Sequence, residues 1–257
     1  MDLNAPLMQL ATLGFFVFLA GLVDSMAGGG GLITLPAYLQ FGLPLNRLLG
    51  TNKLSSSLGT TVAVFKYLAE LRFEKDFLFV LVVFAALGSF LGARFISLLP
   101  PQFIRYLLII ALPPVAFFII TRHRFGLSDQ SGLTAEKTLL FRAVLIAFFI
   151  SFYDGLLGPG TGTFLAVALV RFCGYDLLKA TALSKLLNLT SNISALLAFL
   201  LLGLVDIKLG LAMGAVGMAG NYVGSHLALK KGVWLIRPTL FIVSNALLAK
   251  IIWDMLK

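Results

Sequence analysis

Long apolar runs are the feature that most constrains how this chain can fold. They cover 7–24, 31–43, 47–69, 77–99, 102–121, 138–157, 161–173, 178–203, 207–229 and 234–256, with glycine, proline or charged residues between them. Most of these runs reach the roughly 20 residues that an α-helix needs to cross about 30 Å of hydrocarbon. The runs 31–43 and 161–173 have only about 13 residues each, so whether they cross is left open. The sequence therefore predicts an all-α polytopic membrane protein with two short or broken helices.

The composition requires an apolar phase around the chain. Apolar residues make up 59% of the 257 positions and charged residues 12%, whereas soluble domains have about half and about a quarter. A folded chain with so few charges cannot cover its surface with polar groups, and large exposed apolar patches are rare in soluble proteins. The lipid bilayer is the partner that this composition predicts.

The charge and cysteine content argue against several other classes of function. The net charge is +9, but the Lys and Arg residues flank the apolar runs and form no basic stripe with interleaved aromatics, so we expect no nucleic acid partner. Cys173 is the single cysteine, which excludes an intramolecular disulfide. No Cys and His residues have metal-ligand spacing. We expect no metal, no cofactor and no catalytic residue.

The two halves of the chain match at residue types that are scarce in so apolar a sequence. With a shift of 130 positions, Asp24, Gly28 and Gly30 fall on Asp154, Gly158 and Gly160. With a shift of 132, the coinciding pairs are Gly42 and Gly174, Lys53 and Lys185, Glu74 and Asp206, Gly88 and Gly220, Gly92 and Gly224, and Arg105 and Arg237. We therefore predict a duplication, with a first transmembrane repeat at 1–121, an inter-repeat loop at 122–137 and a second transmembrane repeat at 138–257.

The number of crossings decides how the predicted repeats are oriented. If every run crosses, each repeat has an odd number of spans and the second is inverted. One side then carries Arg72, Lys75, Arg122, Arg124, Lys137, Arg171, Lys179, Lys230, Lys231 and Arg237, and the other carries Arg47, Arg94, Arg105, Lys208 and Lys257. This bias makes the first side cytoplasmic and places both termini outside. If the two short runs do not cross, four spans per repeat give parallel repeats. We favour the inverted arrangement, and eight and ten crossings both stay open.

A glycine-rich motif precedes each of the two short runs. The first is Asp24-Ser-Met-Ala-Gly28-Gly29-Gly30-Gly31, and the second is Asp154-Gly-Leu-Leu-Gly158-Pro-Gly160-Thr161-Gly162. Glycine permits a positive φ, and unpaired N–H groups at the start of the following helix favour an anion. The alternative is a pair of tight turns at the membrane surface. The motifs therefore supply these candidate substrate-binding residues: Gly28, Gly29, Gly30, Gly31, Gly158, Gly160, Thr161 and Gly162.

A lysine lies within an otherwise apolar run of each half, in Asn52-Lys53 and in Ser184-Lys185. A lysine at the centre of a spanning helix costs about 3 kcal/mol, so such a residue normally faces a cavity or a partner. We predict that Lys53 and Lys185 bind one anion, with Asn52, Ser184 and Asn188 as further donors. The alternative is that both side chains snorkel to the membrane surface. The motifs Gly88-x-x-x-Gly92 and Gly220-x-x-x-Gly224 predict close helix packing.

Two acids precede the glycine motifs, and three roles are open to them. Asp24 and Asp154 can each pair with a lysine, carry a coupling proton or cap the turn that follows. Capping is the simplest of the three and is the role we expect.

These motifs resemble the TauE/SafE sulfite exporter family. The resemblance rests on Asp24 to Gly31, Pro36, Gly50-Thr-Asn-Lys-Leu54, Tyr153 to Gly162 and Ala182-Leu-Ser-Lys-Leu-Leu-Asn188, and it extends from about residue 10 to 255. It implies transport of anions such as sulfite, sulfonates and related organosulfur compounds in a bacterial inner membrane. It also implies about eight spans built from a duplicated unit.

The sequence thus predicts a secondary transporter that moves a small sulfur-containing anion by alternating access. An anion channel is one alternative. An intramembrane aspartyl protease is a weaker one, because Asp24 and Asp154 supply two carboxylates but Leu22-Val23 precedes Asp24 where such enzymes carry Gly-x-Gly-Asp. A homo-oligomer, the direction of transport and the coupling ion all stay open.

Overall fold

The computed structural model describes residues 4–96, 98, 126–236, 238, 239 and 242. Within these ranges the helices are α1 (Asn4–Ala27), α2 (Gly31–Gln40), α3 (Leu45–Glu70), α4 (Lys75–Ile96), α5 (Glu136–Leu156), α6 (Thr161–Cys173), α7 (Leu177–Leu201) and α8 (Ile207–Lys231). A 3-10 turn at Ser131–Leu133 precedes α5. The predicted run 102–121, most of the run 234–256, and the pair Arg105 and Arg237 lie outside the described residues.

The helices agree with the apolar runs that the sequence contains. Four of them, Met8–Ala27 in α1 together with α4, α5 and α7, are long and apolar enough to cross a membrane. Helices α3 and α8 are of similar length, with 26 and 25 residues, which corresponds to roughly 38 Å at 1.5 Å per residue. Polar and glycine residues lower their hydropathy. The described part of the chain is thus all-helical, as expected for a polytopic membrane protein.

The two short runs form short helices. Helix α2 has 10 residues and α6 has 13, and each begins at the last residues of a glycine-rich motif. Helix α2 packs on α1 and α3, and α6 packs on α5 and α7. The prediction of short helices after the glycine-rich motifs is confirmed.

The outer surface of the helices is apolar and rich in aromatic side chains. Exposed examples from five helices are Phe15, Phe65, Phe79, Phe149 and Leu197. Buried polar residues, by contrast, concentrate on α3 and α7, which contact each other. This distribution is the reverse of that in a soluble protein and suits helices that face lipid outside and a polar centre inside.

Glycine brings neighbouring helices into backbone contact at two places. A Cβ added to Gly88 or Gly92 of α4 would lie 2.3 or 2.1 Å from a carbonyl oxygen of α5, and one added to Gly220 or Gly224 of α8 would lie 2.2 or 2.3 Å from a carbonyl oxygen of α1. Small residues allow this approach because van der Waals packing drives helix association in lipid. Both glycine pairs therefore have the packing role that their spacing predicts.

We expect Gly92→Ala to lower the thermal stability of the purified protein. The added Cβ would lie 2.1 Å from the Phe152 carbonyl oxygen, and overpacking of this kind costs about 1–3 kcal/mol. Gly14→Ala is the matched control, because a Cβ at Gly14 in α1 meets nothing within 4 Å. The measurement is the midpoint of thermal unfolding in detergent, and equal midpoints for the two variants would contradict this account of the packing.

Candidate functional site

Two buried ion pairs join the first half of the chain to the second. The Nζ of Lys53 in α3 lies 2.6 Å from Oδ2 of Asp154 in α5, and the Nζ of Lys185 in α7 lies 3.0 Å from Oδ2 of Asp24 in α1. The side chains of Lys53 and Asp154 are 3% and 2% exposed, and those of Lys185 and Asp24 are 0% and 15% exposed. Neither lysine reaches the surface, so the snorkelling alternative does not hold.

The expectation that Asp24 and Asp154 cap the following turns is wrong for Asp154 and holds in part for Asp24. Both carboxylates pair with lysines, and among the described residues Asp24 also accepts a backbone hydrogen bond, from the Gly30 N–H at 3.2 Å, whereas Asp154 accepts none. The acids that do cap helices are Asp176 and Asp206, which accept backbone hydrogen bonds at the starts of α7 and α8. A buried lysine offers an ionised carboxylate a stronger interaction than a backbone N–H does.

A chain of polar side chains from α7 supports the Lys53–Asp154 pair. Ser191 donates to Asp154 Oδ2 at 2.6 Å, and Asn192 Oδ1 accepts from Lys53 Nζ at 2.9 Å. Asn192 Nδ2 in turn donates to Asn188 Oδ1 at 2.5 Å. The Lys185–Asp24 pair has fewer partners, since the Gly30 N–H is its one further contact among the described residues. The two ion pairs therefore differ in how firmly their carboxylates are held.

The glycine-rich motifs bring the backbone close to these ion pairs. Gly28 and Gly160 have φ angles of 77° and 82°, which turn the chain into α2 and α6. A Cβ added at Gly158 would lie 3.2 Å from Lys53 Nζ, and one at Gly162 would lie 3.1 Å from Lys185 Nζ and 2.8 Å from the Gly28 Cα. Side chains at these positions would therefore crowd the two ammonium groups and separate the two motifs.

A small cavity of about 40 Å³ lies at this centre. A cavity needs roughly 10–15 Å³ to hold one water molecule, so this cavity has room for about three or four non-hydrogen atoms. The predicted site residues that line it are Asp24, Gly29, Gly30, Gly31, Asn52, Lys53, Asp154, Gly158, Thr161, Gly162 and Asn188. Lys185 reaches this group through its contact with Asp24.

Several donors around the cavity have no hydrogen-bond partner within the described residues. These are Nδ2 of Asn52, Nδ2 of Asn188, and the backbone N–H groups of Gly31 and Gly162. Gly31 and Gly162 lie in the first turns of α2 and α6, where the helix dipole favours negative charge. The cavity therefore offers hydrogen-bond donors and positive potential to a small acceptor group.

Four predicted site residues, Ser184, Lys185, Gly28 and Gly160, do not line the cavity, and some lining residues were not predicted. Ser184 donates to the Thr181 carbonyl oxygen at 2.8 Å and does not line the cavity, while Gly28 and Gly160 shape the turns beside it. Polar lining residues that the prediction missed include Thr34, Ser56, Thr60 and Asn221. Ser56 and Thr60 lie four residues apart on α3 and also share a helix face with Asn52 and Lys53. This spacing is the one signal that could have identified Ser56 and Thr60 from the sequence.

Among the described residues, no His, Cys, Asp and Glu side chains cluster as a metal site would require.

Comparison with known proteins gives a consistent result over nearly the whole chain. The model of the family described as "Sulfite exporter TauE/SafE" matches residues 13–251. A "Probable membrane transporter protein ORF9" from Sinorhizobium sp. is 38% identical over 95% of this chain and 93% of its own length. A "Probable membrane transporter protein" from Haemophilus influenzae is 34% identical over 99% of this chain and 98% of its own. The "Probable membrane transporter protein YfcA" of Escherichia coli K12 is 36% identical, with coverages of 97% and 91%. No solved structure matches the chain.

We expect Lys53→Met to destabilise the protein by roughly 3–5 kcal/mol, because it leaves the Asp154 carboxylate buried without its ion-pair partner. The double variant Lys53→Met/Asp154→Leu should lie closer to the wild type than Lys53→Met does, because no unpaired charge remains. The measurement is a double-mutant cycle on thermal unfolding.

Lys179→Met is the control for this cycle, since the Lys179–Asp129 pair is 39% and 24% exposed and such surface pairs contribute at most about 1 kcal/mol. Additive effects of the two substitutions at Lys53 and Asp154 would contradict a direct interaction between these residues.

Proposed function

The chain belongs to the sulfite exporter TauE/SafE family, and from this we propose that it is a secondary transporter of small sulfur-containing anions such as sulfite or sulfonates. It is a multi-pass membrane protein whose relatives are named as probable membrane transporters, and membership in a transporter family implies that it is no enzyme. The observation that carries the proposal is a small cavity lined by Lys53, asparagine side chains and the starts of two helices, with Lys185 paired to the lining residue Asp24.

The donors of the cavity suit an oxyanion. Sulfite and sulfonate groups present three oxygens that accept hydrogen bonds and donate none when ionised. Donors are available on four helices that line the cavity: Lys53 Nζ and Asn52 Nδ2 on α3, Asn188 Nδ2 on α7, and the N–H groups of Gly31 on α2 and Gly162 on α6. In a buried site, hydrogen bonds from charged and dipolar donors to an anion are stronger than in water. The volume of about 40 Å³ favours a head group with few atoms.

We propose alternating access by two inverted repeats, 1–121 and 138–257, that rock about this site. The crossed ion pairs support the repeat, because each lysine binds the acid at the equivalent position of the other half. Similar contacts recur: α1 packs on α8 as α5 packs on α4, and α3 packs on α8 as α7 packs on α4. The same register would make α1 equivalent to α5 and α4 equivalent to α8.

The cavity also extends in one direction, which supports a state open to one side. Beyond the ion pairs it runs between α1, α3 and α8, along Gly21, Thr60 and Asn221. In the proposed register, Gly21 and Asn221 correspond to Ser151 and Ser89, and both of these serines are 0% exposed. The Ser151 hydroxyl has no hydrogen-bond partner among the described residues. In the state open to the other side, a water-filled path between α4, α5 and α7 would supply a water molecule as the hydrogen-bond partner of the Ser151 hydroxyl.

Two other functions fit less well. An aspartyl protease needs two carboxylates that share a proton, whereas Asp24 and Asp154 are each held by a lysine. A channel differs from a carrier in that its flux does not saturate at a bound state and supports no counterflow.

We place the protein in a bacterial inner membrane with both termini outside, and a homo-oligomer is compatible with this arrangement.

We expect Lys53→Gln and Lys185→Gln to weaken anion binding at least tenfold while the protein still inserts and folds, because glutamine keeps a hydrogen-bond donor but loses the charge. Binding of sulfite, thiosulfate, short sulfonates and sulfate to the purified protein is the measurement. Lys66→Gln is the control, since Lys66 contacts the Tyr222 carbonyl oxygen at an exposed position. Wild-type affinity in both cavity variants would overturn the assignment of the site.

We expect cysteine labelling to report the access state. In a Cys173→Ala background, Ser56→Cys should react with a water-soluble maleimide, because Ser56 lines the cavity. Ser89→Cys and Ser151→Cys should react far more slowly, since both positions are fully buried. When a transported anion shifts the population between the two access states, the labelling rate at Ser56→Cys and the labelling rates at Ser89→Cys and Ser151→Cys should change in opposite directions. Changes in the same direction at Ser56 and Ser89 would contradict alternating access.

A further inference from the structure

The charges at the centre of the site already balance before any anion arrives. Lys53 and Lys185 each have a carboxylate partner, Asp154 at 2.6 Å and Asp24 at 3.0 Å. Among the described residues, these are the charged side chains that meet at the cavity, so the empty site holds two positive and two negative charges. An anion that binds both lysines would meet two carboxylates of its own sign within the same buried space. In such surroundings like charges repel strongly.

The other ionisable groups around the site cannot absorb the added charge. The hydroxyl groups of Tyr38, Tyr67 and Tyr153 donate to Ser55 Oγ, the Ser25 carbonyl oxygen and the Pro159 carbonyl oxygen. On the described α4, α6 and α8, the charged residues occupy the end turns, as Arg94 and Arg171 do, and His226 is exposed. The change in charge therefore falls on Asp24, Asp154 and the two lysines.

We propose that the protein carries its anion together with protons, and that Asp24 and Asp154 are the groups that accept them. This inference rests on the proposed anion transport. A proton from water converts a carboxylate to a neutral carboxyl group, which releases its lysine to the anion. The charge then balances when one proton enters for each negative charge of the anion. A monovalent anion needs one of the two aspartates and a divalent anion needs both.

The structure assigns the first proton to Asp24. Its side chain is 15% exposed, whereas that of Asp154 is 2% exposed. Its contact with Lys185 is 3.0 Å long, and among the described residues its other oxygen accepts one hydrogen bond, from the Gly30 N–H. Asp154 Oδ2 accepts hydrogen bonds from both Lys53 and Ser191 at 2.6 Å. Asp24 is thus the carboxylate that water reaches more easily and that its neighbours hold less tightly.

The same arrangement disfavours uncoupled states. An anion without protons meets two carboxylates, and protonated aspartates without an anion leave buried lysines without a counter-charge, which is costly in a membrane. The empty site with both ion pairs closed and the loaded site with anion and protons are the two electrically balanced forms. A carrier that moves only in these two forms couples the flows of anion and proton.

The test is isothermal titration calorimetry of the full chain in buffers with different ionisation enthalpies, which counts the protons bound with the ligand. The probes are methanesulfonate, thiosulfate and sulfate, which stay fully ionised near neutral pH, so any proton exchange belongs to the protein. We expect uptake of about one proton per negative charge bound. By linkage, the affinity should fall about tenfold per pH unit for each proton taken up with the anion.

Substituted proteins assign the protons to residues. Asp24→Asn imitates the protonated carboxyl group, so it should bind a monovalent sulfonate without proton uptake and with an affinity independent of pH. Asp154→Asn should reduce the uptake that accompanies a divalent anion. Asp129→Asn is the matched control, because Asp129 pairs with Lys179 outside the cavity, and it should keep the proton uptake of the wild type.

The outcomes separate this inference from the proposed function. Binding of a probe by the wild-type protein without proton uptake would overturn proton coupling and leave anion binding intact. Unchanged proton uptake in both cavity variants would remove Asp24 and Asp154 as the acceptors. Failure of every anion, including sulfite, to bind the folded protein would overturn the proposed function and this inference with it.

Discussion

The cost of placing charge within a membrane is the constraint on which the rest of this structure depends. An unpaired lysine among membrane-spanning helices costs several kcal/mol. This chain buries two lysines among its helices, and each forms an ion pair with an aspartate from the other half of the chain. This requirement brings α1 to α7 and α3 to α5 at the level of the ion pairs. On α7, Asn192 then accepts a hydrogen bond from Lys53, and Ser191 donates one to Asp154.

Glycine makes that arrangement sterically feasible. The ion pairs can meet only if the chain breaks after α1 and α5 and lets the backbone of one motif contact the other. Gly28 does this with a positive φ and with a backbone approach in which an added Cβ would lie 2.2 Å from the Thr163 nitrogen. The Thr163 hydroxyl then donates to the Ala27 carbonyl oxygen at 2.8 Å. The breaks also leave helix starts with free N–H groups, so the same residues provide both the close packing and an environment for an anion.

Sequence reasoning located the described helices and about half of the cavity residues, because both depend on local information. Apolar run length predicts a spanning helix, and a lysine in such a run predicts a buried polar site. The partners of these lysines lie 101 and 161 positions away, and no local pattern states which acid meets which lysine. The role of Asp154 was therefore missed in favour of capping. Ser184 was wrongly assigned to the site because it is adjacent to Lys185 in the sequence. Adjacent residues in a helix do not share a face, so their side chains point to different sides. The predicted duplication still rests on the sequence register, supported by the crossed contacts.

The crossed pairing also bears on how binding and movement are connected. Because each ion pair joins one half of the chain to the other, any relative movement of the halves changes the geometry of both pairs at once. A ligand that takes the place of the carboxylates on the lysines thereby alters the same contacts that hold the halves together. A channel has no need for such an arrangement, since its conducting path can be lined by residues that do not move against each other. In a carrier, by contrast, a ligand shifts the balance between two states only as far as it interacts differently with them. Ion pairs across the dividing surface supply that difference directly.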